Sequence, residues 1–252
     1  MDYTQLINEN VKIKKIRDDG SKGAFEIEGL YRGYGTTVGN AIRRVLLSSL
    51  PGAAITRFKI KGVGHEFSTI PGVVEDVVEI GLNLKKVRFT FNSTEPQTLT
   101  LKVKGERAVT AADIKGNAEV EVVSPDVHIA TLSGKGTELD IELTVEKGLG
   151  YVPVLAQKIG KLPIGTMALD AIFSPVRLAN FTVSNMRVGD KIDYNKVTIE
   201  IETDGTISPS KALQLASNIL LEHFRKISDL EIEEFGNIDA EPTIKKAKKS
   251  KA

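Results

Sequence analysis

RGYGTTVGNAIRRVLLSS, residues 32 to 49, decides the fold of this chain, because a glycine-punctuated loop runs straight into an amphipathic helix. Such a junction either holds a phosphate at the helix N-terminus or brings a helix close to a sheet. Gly33, Gly35 and Gly39 follow a short strand. The dinucleotide-binding pattern requires its third glycine at position 38, which is Val38, and the P-loop pattern requires Lys and then Ser or Thr after its second glycine, where no such pair occurs. Nucleotide binding at Gly33–Gly39 is kept as the alternative function; a tight turn with close chain packing is the preferred reading. In the helix, Val38, Ala41, Ile42, Val45, Leu46 and Ser49 follow the spacing of one buried face. Leu47 falls on the other side, with Asn40, Arg43 and Arg44. An aliphatic residue beside two guanidinium groups is a composition favoured at protein contacts, so a second-face contact is expected there.

Working outward, alternating apolar residues mark strands at VKIKKI (Val11, Ile13), AFEIEGL (Phe25, Ile27), ITRFKIKGV, LTLKVKG, ELDIELTVEKG, VRLANFTVSNMRV and KVTIEIETDG. Helical spacing is confined to Thr36–Ser49, Val73–Lys86 and Ser208–Leu230. The last is well delimited: Ser208 can cap it, and Pro209 suits its first position. Leu213, Ala216, Leu220, Phe224 and Ile227 form one stripe, and Ala212, Leu215 and Ile219 form a second beside it. One sheet would not cover both, so either this chain or a partner supplies a further helix. In the middle helix, Val74, Val77, Val78 and Leu82 are expected inside, and Glu75, Asp76, Glu79 and Asn83 outside. Gly81 within it implies close approach of another segment or a weak helix.

These elements give an α+β fold. A discontinuous domain, a sheet plus two helices, takes residues 1–52 and 174–232, and a mostly β domain, 53–173, is inserted between LPG and FSPV. Residues 233–252 form a charged tail, read as disordered. Residues 229–241 hold six acids and no base, and 245–252 hold five lysines. Weak nucleic-acid attraction by the lysines is the minority reading.

The chain has 252 residues, a formal net charge of +1 and no cysteine. That length buries a core unaided, and the charge balance does not suit a general polyanion binder. Lack of cysteine removes disulfides, thiolate zinc sites and thiol nucleophiles, and suits a reducing cytosol. Neither a cleavable leader nor a run of 18 apolar residues is present, so the expected location is cytoplasmic, away from membranes. His65, His128 and His223 show no paired ligand spacing, no serine sits in a G-x-S-x-G turn, and no basic run is interleaved with aromatic residues. No catalytic residue, metal or cofactor is expected.

Four segments, RGYGTTVGNAIRRVLLSSLPG, GVGHEFSTIPGVVEDVVEIGLNLK, LPIGTMALDAIFSPV and VTIEIETDGTISPSKAL, occur in an order that resembles the bacterial RNA polymerase alpha subunit, N-terminal domain. The resemblance runs from about residue 10 to about 230. It implies a homodimer, with Val38, Ile42, Val45, Leu213, Leu220 and Phe224 at the dimer interface. It further implies a platform for the beta and beta-prime subunits of a nucleotidyltransferase that carries out DNA-templated transcription. Arg44, Leu47 and Glu79 match beta-facing positions, and Lys85 and Leu169 match beta-prime-facing ones. Catalysis would belong to the large subunits. Two departures stand out: Gly81 replaces a bulky aliphatic residue, and the sequence stops after KKAKKSKA, where family members generally continue into a small DNA-binding domain. Promoter-element binding is therefore not carried over; DNA would be met through the assembled complex or weakly through the lysine tail.

Overall fold

The computed structural model describes residues 11–157, 162–189 and 191–230; the expectations for the charged tail lie outside them. In chain order the elements are β1 (Lys12–Asp19), β2 (Lys22–Leu30), α1 (Tyr34–Ser48), β3 (Pro51–Ile60), α2 (Val77–Leu84), β4 (Phe89–Phe91), β5 (Gln97–Lys104), β6 (Arg107–Thr110), β7 (Ile114–Lys115) and β8 (Val120–Val122). There follow β9 (His128–Leu132), β10 (Glu138–Leu149), β11 (Tyr151–Val152), β12 (Thr166–Ala168), β13 (Ala171–Ile172), β14 (Val176–Val188), β15 (Lys191–Thr203) and α3 (Pro209–Ser228). Strands and helices are segregated, as expected of an α+β fold.

The first sheet is antiparallel, in the order β1-β2-β15-β14. Period-two alternation puts Phe25 and Ile27 of β2 opposite Ile199 and Val197 of β15, and those opposite Phe181 and Val183 of β14. This face is covered by α1 and α3, giving a core with Ile42, Leu46, Leu50, Ala212, Leu213 and Ala216. Ser208 caps α3 by accepting from the Lys211 N–H at 3.4 Å, and Pro209 begins the helix, as the sequence suggested.

The second sheet, β12-β3-β10-β5-β7, comes from the middle of the chain. Ile141, Leu143 and Val145 of β10 pack with Ile55, Phe58 and Ile60 of β3 and Leu99, Leu101 and Val103 of β5, and α2 covers them with Val77, Ile80 and Leu84. Strand β3 starts at Pro51, so the expected break at LPG is already strand, paired with Leu149 of β10.

The helix expected at Val73–Lys86 is shorter, and it turns a different face inward. Asp76 ends the preceding extended segment and caps the helix by accepting from the Glu79 N–H at 2.7 Å. Because the first turn begins at Val77, the buried stripe runs Val77, Ile80, Gly81 and Leu84, and Val74, Val78 and Leu82 are exposed. Glu75 and Asn83, expected outside, are buried. Gly81 answers to close approach: a Cβ there would lie 3.2 Å from Leu169 Cδ2 and 3.4 Å from the Phe58 ring.

Helix α1 touches its sheet through glycine. A Cβ on Gly39 would sit 2.5 Å from the Phe181 ring, nearer than van der Waals contact allows. Gly39→Ala should therefore lower stability by about 1–3 kcal/mol in urea unfolding, against the roughly 1 kcal/mol that alanine gains in an unconstrained helix interior. A stabilised variant would show that the close contact is not required.

Candidate functional site

The glycine loop is closed from within. Gly33 adopts a φ of +85°, and the N–H groups of Gly33 and Gly35 donate to Asn195 Oδ1 at 2.9 and 3.3 Å. Asn195, on β15, is buried, and its Nδ2 donates to Asn185 Oδ1 at 3.4 Å. The donors that would cradle a phosphate are thus taken by the chain's own amide, at the first turn of α1, where orphan N–H groups need an acceptor. A Cβ on Gly35 would lie 2.7 Å from Val183 Cγ1 and 2.9 Å from Asn195 Cβ. Nothing in this geometry favours the nucleotide reading.

With that side docked, α1 presents Asn40, Arg43 and Arg44 to solvent, and Leu47 is 37% exposed beside them. Neither arginine has an ion-pair partner among the described residues. Of the positions assigned to a dimer contact, Ile42 and Leu213 lie in this chain's own core. Val38, Val45 and Leu220 are half-buried, and Phe224 is 62% exposed. Phe224 belongs to an apolar stripe on the distal half of α3 with Leu221 and Ile227, also exposed, and Leu230 is exposed just beyond the helix end.

Glu79 is exposed on α2, near the exposed Val78 and Leu82. Lys85 is instead engaged within the chain. Its Nζ lies 3.0 Å from Asp170 Oδ2 and 5.5 Å from the centre of the Tyr151 ring. The Asp170 carboxyl is held below its usual range first by the Val154 N–H, which donates at 2.9 Å, and then by Lys85. Leu169 packs beside it against Gly81 and Phe58. Lys85 and Leu169 thus adjoin each other, on a surface whose charges are largely satisfied internally.

Two polar residues that sequence reasoning passed over organise these surfaces. Asn195 interrupts an otherwise alternating strand, which was the available signal. Glu75 gave none, since an acid in the first turn of the expected Val73–Lys86 helix reads as solvated. Its carboxylate accepts from His128 Nε2 at 2.8 Å, from the Thr131 N–H at 2.6 Å and from Thr131 Oγ1 at 3.0 Å, tying the approach to α2 onto β9. Burial pushes this carboxyl up, but the hydrogen bonds from His128 and Thr131 outweigh it and leave it below the ordinary value of 4.5. A depressed pKa means stability that is complete above the ordinary value and lost as pH falls through the folded one. Glu75→Gln should lower the melting temperature at neutral pH and flatten its decline below about pH 4.5. Parallel melting curves for variant and parent across that range would show that the carboxylate is not held ionised by the fold.

Among the described residues, no three His, Cys, Asp or Glu side chains are grouped to hold a metal ion, and no helix is long and apolar enough to cross a membrane. Residues 58–174 match the family described as "RNA polymerase Rpb3/RpoA insert domain". The DNA-directed RNA polymerase subunit alpha of Symbiobacterium thermophilum is 52% identical over 217 residues, 85% of this chain and 69% of that protein. The subunit of the same name from Clostridium botulinum is 50% identical over 86% of this chain and 69% of its own length. That of Leuconostoc mesenteroides is 46% identical over 96% of this chain and 78% of its own. Likeness of this extent places the chain in the family of bacterial DNA-directed RNA polymerase alpha subunits.

Proposed function

We propose that this chain works as a homodimeric platform on which the beta and beta-prime subunits of RNA polymerase assemble in the cytoplasm, contributing no catalytic residue itself. Residues 1–52 and 174–232 form the dimerisation domain in this reading, and 53–173 form the inserted domain. The observation that carries it is the distal half of α3 and the residues just after it, where Leu221, Phe224, Ile227 and, past the helix end, Leu230 are 46%, 62%, 62% and 65% exposed. Three apolar side chains at helical spacing and a fourth just past the helix end, beyond the reach of the chain's own sheet, call for cover. A second copy offers it through an isologous contact in which each α3 lies on the other protomer, with Val38, Val45 and Leu220 at the margin and Ile42 and Leu213 supporting from the core beneath.

Beta docks on the opposite side of α1, at Arg44 and Leu47, and reaches Glu79 on α2. An exposed, unpaired guanidinium is preorganised to fork onto carboxylates or backbone oxygens. Beta-prime docks at the Lys85 and Leu169 surface, where Asp170 and Tyr151 set the orientation of Lys85. The lysine tail adds at most weak, salt-sensitive attraction to DNA.

Paired variants separate the two contacts. Phe224→Glu should give monomers in sedimentation at micromolar concentration, since an isologous interface counts a loss of about 2 kcal/mol twice. Arg44→Ala should remain dimeric and bind beta more weakly by about 2 kcal/mol. A dimeric Phe224→Glu, or an Arg44→Ala that loses dimerisation and keeps beta, would overturn the assignment of faces.

A further inference from the structure

The chain passes between its two large sheets twice, at Leu50–Gly52 and at Phe173–Pro175. Two crossings alone leave rotation about the line joining them. A third tie stands beside them. Arg88, between α2 and β4, places its Nε 3.3 Å from Asp204 Oδ2, in the turn that leads from β15 into α3; the side chains are 13% and 4% exposed. Each partner is fixed to its own unit. Arg88 Nη1 donates to the Lys85 carbonyl at 3.4 Å, its backbone N–H donates to Ser124 Oγ at 2.8 Å, and its carbonyl accepts from the Val123 N–H at 2.9 Å. The Asp204 N–H donates to the Pro175 carbonyl at 2.9 Å, and its Oδ1 accepts from Thr206 N–H and Oγ1 at 3.0 and 2.6 Å.

Arg88 Nε is the one buried side-chain polar atom without a hydrogen bond among the described residues. The pair is therefore held by charge and position. A buried ion pair contributes little net stability over an apolar pair of similar volume, so geometric definition is the better reason for one at a junction.

We propose that Arg88 is a positioning residue which, through Asp204, fixes the angle between the inserted unit and the sheet that carries α1 and α3. It would thereby set the separation between the Arg44–Leu47 face and Glu79, so that one large partner meets both at once; this second step rests on the docking reading above.

The chain has no cysteine, so spin labels at Thr182→Cys on β14 and Glu106→Cys after β5 report the angle directly as an interspin distance in the intact dimer, with labelled protomers diluted into unlabelled ones. The variant to compare is Arg88→Met/Asp204→Asn, which leaves no uncompensated buried charge, with Arg88→Met alone beside it. The parent should give one narrow distance distribution. The double variant should remain dimeric, show a broadened or displaced distribution, and bind beta roughly tenfold more weakly. An unchanged distribution in both variants overturns the proposal. A broadened one with unchanged beta affinity overturns its assembly step. If Arg44→Ala also leaves beta affinity unchanged, the docking reading is what fails, and the distance distribution still decides the role of Arg88.

Discussion

Helix α1 lies so close to its sheet that two of its contact positions admit no side chain. Gly35 fits against Val183 and Asn195, and Gly39 fits against the Phe181 ring. The Asn195 amide oxygen accepts from the N–H groups of Gly33, just before the helix, and Gly35, in its first turn, so the sheet that receives α1 also caps it. With that side fully engaged, rotation of α1 about its axis is fixed, and Arg43, Arg44 and Leu47 have nowhere to go but outward. The Arg44–Leu47 surface inherits its position from this contact.

The loop also shows how a phosphate-like signature arises without a phosphate. Glycines permit backbone to approach an anion, and equally permit a helix to approach a strand. The sequence alone leaned towards the second by failing two spacing rules. The structure adds the physical reason, since the N–H groups are aimed at a side-chain carbonyl 162 positions away in the sequence, at Asn195.

Much of the fold was legible because its signals are local. Alternation in β2, β10, β14 and β15 is regular, and Ser208–Pro209 marks the start of α3 unambiguously. The short strands β4, β6 to β9 and β11 to β13 carry too few residues for any period to emerge. The face of α2 was misread because one residue, Asp76, sets where the helix starts, and a shift of start rotates every later side chain. Site residues divide in the same way. Arg44 and Leu47 stood out as a mismatch on an amphipathic helix, whereas Glu75, Asp170 and Asp204 act through partners 56, 85 and 116 positions or so away, or in neighbouring turns, which no short window contains. These three carboxylates share one task, anchoring a connection between elements that are distant in the sequence.

The distal half of α3 distinguishes a self-sufficient fold from one completed by another copy. Amide hydrogen exchange of residues 221–228, followed as the protein is diluted, reads this directly. Cover by a second protomer predicts strong protection at high concentration that falls on dilution, with exchange in α1 around Ile42 and Leu46 less affected. Fast exchange at 221–228 at every concentration would mean that nothing covers the stripe, and the dimeric platform would be contradicted.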